Sequence, residues 1–560
     1  MPAIAIRHAT NRERAAGLTL LGTALLLKLP YLANYRFNSD EPQHLHVVWG
    51  WTQGLVQYRD LFDNHSPLFH LLMAPWLALA GERADALVLM RVPMLALYVL
   101  ALALTWLLAR RLFDARVALF AAVLLALHYE FFFTSIEFRT DNLWTVLWLA
   151  ALVVIAGRPL DARRAFATAA ALGAALAVSQ KTALLLAALS GAALVVAAAS
   201  AEVRAAFPPR RAARLAGAAV AGLALVPALV AAFLAARGAL EPGVRDVVTH
   251  NILPGLGHWN EPWRWPAGAA AIVAAAWVAA RSVRSGAGDR RRTRRVAVFL
   301  AGSLYVAVLQ GFWPLVTGQD NLPAYPLAAL AAAAAWQHWR DRRAAGGKSA
   351  MLPAAVVAAW LVVELGIIVG KGPIWRDRGR PQTALVANVL RLTGPGDYVF
   401  DAKGETVFRR RAFFPVLETI TKERIRRGLL PDTIAESVVR TRCHVAVLDS
   451  AGLPARGRAF LNANFVSVGA LRVAGQRLGP TAGAGTPVRF AIAIPGRYIV
   501  IAPGGAAAGA LDGVPGAGPR ELGAGTHEFT PAGATGPLAV VWARAIECGL
   551  SPFGGHRSRP

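Results

Sequence analysis

Charged residues are scarce in this sequence. They make up 16% of the 560 residues, and hydrophobic residues make up 56%, whereas ordinary soluble domains are roughly 25% charged. This composition excludes an ordinary soluble domain and predicts a membrane protein. The formal net charge of +26 does not indicate nucleic acid as a partner, because the basic residues stand in short clusters between apolar runs and not on one soluble face.

Cysteine and processing signals are also sparse. The only two cysteines, Cys443 and Cys548, could pair in an oxidising compartment or be two buried thiols, and they are too few for a disulfide framework. The first apolar run follows a basic stretch, but no small-residue cleavage site follows it. We therefore interpret that run as a retained first helix and not as a removed signal peptide.

The apolar runs predict a polytopic α-helical membrane domain over residues 1–370, with roughly eleven transmembrane helices. The candidate spans are residues 15–33, 86–109, 117–133, 142–157, 165–179, 182–200, 215–236, 266–280, 296–316, 323–339 and 351–370.

Arginine clusters alternate with these runs. They precede the first run and follow the second, fourth, sixth, eighth and tenth runs. The positive-inside rule places all of them in the cytoplasm, together with the N-terminus. An odd number of spans then puts residues 371–560 outside, whereas an even number would break the alternation. The Ala/Arg/Gly-rich composition suggests a bacterial source, so we expect the inner membrane with a periplasmic C-terminal region.

The C-terminal region changes character near Lys371. Residues 371–480 mix short β-like runs with a helical middle and predict a small soluble α/β unit. Residues 481–560 alternate short apolar strands with Gly/Pro-rich turns, which predicts a β-rich, sandwich-like unit.

The first periplasmic loop, residues 34–85, contains two candidate helices. One begins near Pro42, and the second is opened by Ser66 and Pro67. We interpret both as amphipathic helices at the membrane interface, with Leu45, Val48 and Trp49 of the first helix able to face lipid. The polar edge of the loop then carries its carboxylates.

Ionisable and aromatic residues cluster in the outer loops, and polar residues beside membrane spans are costly enough to indicate function. The candidates are Asp40, Glu41, His44, His65, Glu137, Arg139, Asp141, Lys181, His250, His258, Glu261, Arg264, Gln319, Asp320 and Tyr325. This composition is typical of a pocket that binds an anionic headgroup and performs acid/base chemistry. Taken singly, each residue has a structural alternative: the carboxylates could cap helices, and Lys181 could reach towards the interface.

Several of these segments resemble the GT-C superfamily of polyprenyl-phosphate-sugar-dependent glycosyltransferases, in particular the bacterial protein O-mannosyltransferase and aminoarabinose transferase type. The matching pieces are SDEPQHLH after the first span, HSPLFHLL, FRTDNLW, SQKT and QDNLPAYPLAAL. Two pieces depart from the family pattern, since HSP replaces HPP and QDN replaces a basic residue before the tyrosine. The resemblance covers roughly residues 15–370.

The resemblance implies an inverting transferase that moves a sugar from a polyprenyl-phosphate donor to a periplasmic lipid, glycan or protein acceptor. Asp40 would be the general base, with Glu41 and Asp141 as further catalytic or acceptor-orienting groups. Three cations would bind the donor phosphate, namely Arg139, Lys181 and Arg264. The acceptor or pocket residues would be His44, His65, Gln319, Asp320 and Tyr325.

No cofactor is certain from the sequence, although Asp40, Glu41, His44 and His65 could hold a divalent metal ion, as in some relatives. The expected partners are the lipid-linked sugar, the bilayer and the acceptor, with no nucleic acid. A lipid or glycolipid flippase is the alternative function, but it would place polar residues near the bilayer midplane. A third possibility is a membrane anchor for a carbohydrate-binding C-terminal region, in which Tyr498 and Trp542 would be the first residues to test.

Overall fold

The structure is a computed structural model of the full chain. It describes residues 9–256, 264–283, 290–349, 351–447, 452–479, 485–533 and 536–553.

The first part of the chain is helical, and a helix overlies each apolar run that the sequence predicts. Its helices are α1 Asn11–Asn34, α2 Asp40–Thr52, α3 Leu68–Ala80, α4 Ala86–Leu112, α5 Ala115–Leu127, α6 Tyr129–Thr134, α7 Thr140–Ala156, α8 Ala162–Val178, α9 Thr182–Ala199, α10 Ala201–Ala206, α11 Pro209–Ala236, α12 Leu240–Val244, α13 Arg264–Val283, α14 Arg290–Phe312, α15 Tyr325–Ala345 and α16 Met351–Lys371. A π-helical turn at Arg245–Thr249 and a 3-10 turn at Gly318–Asn321 lie between them.

Six helices in the described part of the chain are long and apolar enough to cross a membrane: α1, α4, α9, α11, α14 and α16. Shorter apolar helices are α3, α5, α7 and the middle of α13. Their starts follow ordinary capping chemistry; Thr10 and Glu13 form a capping box on α1, and Asp114 accepts from two backbone amides of α5. The chain is therefore a multi-pass membrane protein, as the composition predicted.

The two helices of the first outer loop are present as α2 and α3, but α2 does not lie on the surface. It packs against α3 and α4, and its residues 41–50 are all buried. Leu45, Val48 and Trp49 are buried inside the protein. The prediction that these three side chains face lipid was therefore wrong, because α2 is covered by protein on its apolar side as well as its polar side.

Buried charges in the helical part are tied to named partners. Lys28 of α1 is fully buried, and its Nζ donates to the carbonyl oxygen of Phe132 at 2.6 Å and to the hydroxyl of Ser135 at 2.9 Å. Glu364 of α16 accepts from the backbone amide of Tyr129 at 2.8 Å. These contacts hold α1 and α16 against α6, because an unpartnered polar group inside a bilayer is expensive.

The C-terminal region contains two β-sheets. Its strands are β1 Tyr398–Phe400, β2 Arg410–Arg411, β3 Val445–Ala446, β4 Phe465–Val468, β5 Leu471–Leu478, β6 Val488–Ile492, β7 Gly496–Ala502, β8 Gly505–Ala506, β9 Gly509–Leu511, β10 Val514–Pro515, β11 Arg520–Leu522, β12 Gly525–Pro531 and β13 Leu538–Trp542. Its helices are α17 Arg380–Leu392, α18 Thr419–Arg426, α19 Ile434–Arg440, α20 Ala455–Asn464 and α21 Ala543–Glu547.

The larger sheet has the strand order β11-β7-β13-β5-β3-β1-β2, with β4 paired to β5 and β8 paired to β7. Strand β1 is parallel to β2 and β3, and the other pairs of this sheet are antiparallel. The second sheet has the order β10-β9-β12-β6. Because β5 pairs with β13, one sheet spans the predicted boundary between residues 480 and 481.

The two sequence-based candidates for carbohydrate binding in this region have structural roles. Tyr498 is 1% exposed, and its hydroxyl donates to the carbonyl oxygen of Ile494 at 2.6 Å. Trp542 stacks on His444 with ring centroids 5.1 Å apart. Tyr498 is thus part of the strand core and not an open carbohydrate platform.

Candidate active site

A cavity of about 480 Å³ lies where the N-terminal ends of α2, α7 and α9 meet the C-terminal region. We call it the Asp40 cavity. Four carboxylates and four lysine or arginine side chains line it among the described residues: Asp40, Asp141, Asp320, Glu418, Arg139, Lys181, Lys403 and Lys422. The cavity combines acids and bases in equal number, which is the makeup of a site that transfers protons and binds charged groups.

Asp40 stands at the first position of α2, where Asn38 fixes the chain by accepting from the Asp40 amide at 3.1 Å. Its carboxylate lies between two cations, with Arg139 at 2.6 Å and Lys403 at 2.5 Å. Burial alone would raise the pKa of Asp40, but Arg139 and Lys403 hold that pKa well below its ordinary value. Asp40 is therefore an ionised and strongly paired carboxylate of the cavity wall.

The other carboxylates of the cavity are paired as well. Arg139 donates to Asp141 at 3.0 Å, and Lys181 forms an ion pair with Asp320 and lies 3.7 Å from Asp141. Burial lowers the pKa of Lys181, but Asp320 and Asp141 together raise it above its ordinary value. Lys181 is thus a cation of the cavity wall, fixed by Asp320 and Asp141, and not a side chain that extends to the membrane interface.

Seven residues singled out from the sequence line this cavity: Asp40, Asp141, Arg139, Lys181, His65, Gln319 and Asp320. They come from four segments that are far apart in the chain. Their convergence supports the interpretation that the outer loops build one pocket. Arg264 begins α13, but its side chain lies outside the described residues, as do His258 and Glu261.

Glu41 lies outside the cavity, although it neighbours Asp40 in the sequence. Its side chain is fully buried, and its two carboxylate oxygens accept from Arg91 at 2.7 and 2.8 Å. It also accepts from the backbone amides of Asn38 and Phe138. This position does not support the predicted catalytic role; Glu41 anchors the start of α2 to α4 and to the segment before α7.

The histidines form a hydrogen-bonded group behind the cavity. His44 and His70 lie on facing sides of α2 and α3 with their ring nitrogens 2.9 Å apart, and His65 contacts Asp63 at 2.8 Å. Burial lowers the pKa of His70 to about 4, and burial with two neighbouring histidines keeps the pKa of His44 well below its ordinary value. Only His65 of this group lines the cavity, so His44 supports the wall from behind.

The metal set suggested by the sequence is not assembled. Glu41 is occupied by Arg91, and His44 is bonded to His70. No three His, Cys, Asp or Glu side chains are placed to hold a metal ion in the described segments.

Cys443 is buried, and Cys548 is not bonded to it, so both are free thiols.

Glu137 forms a bridge between the predicted loops. It accepts from the side-chain amide of Gln319 at 2.7 Å. Burial raises the pKa of Glu137 to about 7, although Arg139 opposes this rise. A carboxyl group with such a pKa beside the cavity is able to exchange a proton near neutral pH.

Sequence reasoning missed the contribution of the C-terminal region to the cavity. Lys403, Glu418 and Lys422 come from that region, and Asn251 comes from the segment after α12. Lys403 follows β1 in the run DAKGET, so a polar turn at the carboxyl end of a parallel strand was the available signal. What the sequence could not supply was the docking of that turn on α2.

Two further cavities lie next to this site and share wall residues with it or with each other. A polar cavity of about 900 Å³, which we call the Tyr129 cavity, shares the wall residues Asn38 and Gln319 with the Asp40 cavity. It shares Tyr325 with an apolar groove of about 580 Å³ between α5, α15 and α16, which we call the tryptophan groove after Trp336, Trp339 and Trp360. Tyr325 therefore lies between the second cavity and the groove and not in the Asp40 cavity.

Comparison with known proteins gives one family match and several structural similarities. Residues 64–235 match the family model described as dolichyl-phosphate-mannose-protein mannosyltransferase. No curated protein sequence matches the chain.

Among solved structures, the chain is similar to ArnT from Cupriavidus metallidurans bound to undecaprenyl phosphate, with a TM-score of 0.48, 14% identity, and coverage of 82% of this chain and 97% of that one. It is also similar to the oligosaccharyltransferase of Archaeoglobus fulgidus tethered to an acceptor peptide, with a TM-score of 0.44, 12% identity, and coverage of 78% and 69%.

Proposed function

We propose that this chain is a membrane-embedded glycosyltransferase of the GT-C type, which moves a sugar from a polyprenyl-phosphate donor to an acceptor at the outer face of the membrane. The family-model match over residues 64–235 supports the class of enzyme, in agreement with the sequence motifs. The observation that carries the reaction type is the Asp40 cavity, in which an ionised carboxylate is positioned among cations at the outer ends of apolar helices.

In this proposal Asp40 acts as the general base. It takes the proton of the acceptor hydroxyl while that oxygen attacks the anomeric carbon, and the bond between that carbon and the phosphate oxygen breaks on the opposite side. The product therefore has inverted configuration. Asp40 is 22% exposed and lines the cavity, so an acceptor hydroxyl can reach it.

The departing polyprenyl phosphate gains negative charge as the bond breaks. Cations placed in advance at that position stabilise the transition state, because they need no reorganisation during the reaction. Lys181 and Arg139 already stand on the cavity wall, each held by carboxylates. We propose them as the inner phosphate-binding cations, with Asp141 and Asp320 fixing their positions.

The neighbouring cavities support a donor with a lipid tail. A polar headgroup in the Asp40 cavity and an apolar tail in the tryptophan groove would be joined through the Tyr129 cavity by way of Asn38, Gln319 and Tyr325. The groove is lined mainly by alanine and tryptophan side chains. Such a wall suits an isoprenoid chain, because burying apolar surface is its main source of affinity.

The arginine clusters support an orientation with the N-terminus in the cytoplasm and the Asp40 cavity outside. We therefore propose the bacterial inner membrane as the location and the periplasm as the site of transfer. The donor is proposed to carry a hexose or a pentose, and the acceptor to be a periplasmic lipid, glycan or protein.

The test is transfer by the purified protein in lipid nanodiscs from a panel of polyprenyl-phosphate sugars to envelope acceptors. The proposal expects consumption of at least one donor with release of polyprenyl phosphate. The contrary result is no turnover with any donor, combined with protein-dependent movement of a labelled glycolipid across sealed vesicles. That result would leave the flippase alternative in place of the transferase.

A further inference from the structure

Lys403 is delivered to the active site by a short turn of the C-terminal region, residues 401–407. This turn is held internally by Asp401, which accepts from the Gly404 and Thr406 amides and the Thr406 hydroxyl. Arg411 pairs with Asp401 at 2.8 Å. The turn is therefore a fixed structure and not a free loop.

The turn is docked on the helix that carries Asp40. His46 of α2 donates to the carbonyl oxygen of Val407 at 2.7 Å, and Gly404 lies directly against His46. Val407 adopts φ 59°, a left-handed conformation that is strained for a β-branched residue. Such strain persists only where the surroundings fix it, and it concentrates at functional sites.

Before any substrate enters, the charges of the cavity wall are balanced in the described part of the chain. Its four carboxylates face four cations, and most of these cations are already in ion pairs. A donor phosphate adds negative charge to this balanced wall. Lys422 has no ion-pair partner among the described residues and can offset part of that charge, whereas any further compensation requires one of the three paired cations to leave a carboxylate.

Lys403 is the paired cation that can leave at the lowest cost. If Lys181 left, buried Asp320 would lose its ion-pair partner. If Arg139 left, both Asp40 and Asp141 would lose a contact. If Lys403 leaves, Asp40 keeps its 2.6 Å contact with Arg139, so no carboxylate becomes unpaired. Among the described residues, the only other side-chain contact that Lys403 gives up is a 3.2 Å hydrogen bond to Ser39.

We propose that Lys403 exchanges partners during the reaction, neutralising Asp40 in the empty cavity and moving to the donor phosphate when the donor binds. The exchange couples donor entry to the release of Asp40, which is then able to accept a proton from the acceptor hydroxyl. An empty enzyme keeps its base masked, and the C-terminal region becomes part of the catalytic unit. This inference rests on the proposed function, because it requires a phosphate-linked donor.

The test is a double-mutant cycle on binding of radiolabelled undecaprenyl phosphate to the full chain in nanodiscs. Lys403→Met is expected to weaken binding about tenfold, since it removes a charge-assisted contact. Asp40→Asn is expected to tighten binding about threefold or more, because it removes the competing carboxylate. In the Lys403→Met background, most of that tightening should disappear. Any tightening by Asp40→Asn that remains in the Lys403→Met background is attributed to Arg139, the other cation that pairs with Asp40.

Two further variants serve as controls for this experiment. Lys422→Met removes a lysine of the same cavity that has no ion-pair partner among the described residues, so its effect should be equal with and without Asp40→Asn. Lys403→Arg keeps the charge and should bind nearly as the wild type does. Thermal unfolding of each variant confirms that it is folded.

The outcomes separate the two proposals. A dissociation constant unchanged by Lys403→Met, or an equal effect of Asp40→Asn in both backgrounds, would overturn the exchange while leaving the transferase in place. If the wild type does not bind undecaprenyl phosphate or any other polyprenyl phosphate, the proposed function fails and the exchange fails with it.

Discussion

The role of a buried charged residue in this protein depends on the residue of opposite charge with which it pairs. Asp40 and Glu41 are neighbours in sequence, yet Asp40 opens onto a cavity and Glu41 is fully buried against Arg91. The sequence alone could not separate them, because both stand in the first turn of α2. Their different roles come from α4, which carries Arg91 to one of them only.

The Glu41–Arg91 pair is expected to be a major source of stability. Arg91→Met leaves Glu41 as an uncompensated buried charge and removes hydrogen bonds to the carbonyl oxygens of Leu32, Tyr35 and Arg36. We expect a loss of about 3–5 kcal/mol in the free energy of unfolding, measured by chemical or thermal denaturation in detergent.

The matched control for that pair is Arg83–Asp85, whose side chains are 51% and 46% exposed. Arg83→Met should lower the free energy of unfolding far less than Arg91→Met does, because solvent screens an exposed pair. Equal losses for the two arginine variants would contradict the assignment of Glu41 as a buried anchor.

His70 predicts a dependence of stability on pH. Its pKa in the folded chain is lowered to about 4 from 6.5, so the unfolded chain takes up a proton at a higher pH than the folded chain does. The contribution of His70 to the free energy of unfolding is therefore fully present above about pH 6.5. It decreases by about 3 kcal/mol as the pH falls towards 4.

The measurement is Tm against pH for the wild type and for His70→Asn. The variant should lose less stability between pH 6.5 and 4. His338→Asn, at an exposed position of α15, serves as the control and should keep the wild-type slope. A Tm of His70→Asn that falls as steeply as that of the wild type would contradict the account.

At the scale of elements, the local sequence pattern predicted where the helices lie, but it did not predict which elements pack against each helix. Each apolar run became a helix because its composition and length favour one regardless of context. The burial of α2 was missed, because its sequence mixes polar and apolar residues as a surface helix does, and it is buried only by packing on α3, α4 and the 401–407 turn.

The docking of the 401–407 turn on α2 depends on a glycine. Gly404 has φ 97°, and a Cβ there would lie 2.9 Å from the Cβ of His46. Gly404→Ala is therefore expected to lower the Tm and to reduce sugar transfer, since it displaces Lys403 from Asp40. Transfer rate and Tm are to be measured on the same preparation.

Gly428 provides the matched comparison. It also has a left-handed backbone, with φ 70°, but a Cβ there would meet no atom within 4 Å. Gly428→Ala should cost only the conformational strain, about 1–2 kcal/mol, and should leave transfer largely intact. A transfer rate that falls equally in both variants would argue against a specific role for the turn.

At the scale of the whole molecule, the proposed active site lies where the helical membrane domain and the C-terminal region meet. The sequence predicted five of the eight charged side chains of the cavity, because these polar residues stand out against the apolar spans. Lys403, Glu418 and Lys422 were not predicted, because contacts between residues some 360 positions apart, such as Asp40 with Lys403, leave no local pattern in one sequence.

The proposed orientation is testable by labelling with a membrane-impermeant thiol reagent. The two variants are made in a Cys443→Ala, Cys548→Ser background: Glu521→Cys at an exposed position of β11 in the C-terminal region, and Arg342→Cys at an exposed position near the end of α15. In intact spheroplasts the first variant should be labelled and the second only after lysis. The reverse pattern would place the Asp40 cavity in the cytoplasm.

The central claim is that the Asp40 carboxylate carries sugar transfer from a polyprenyl-phosphate donor. The most direct measurement is the initial rate of transfer by Asp40→Asn against the wild type, in nanodiscs, with Tm recorded for both. The account predicts a rate at least about 100-fold lower, as expected for loss of a general base, in a protein that remains folded. A folded Asp40→Asn protein that transfers sugar within about threefold of the wild-type rate would contradict it.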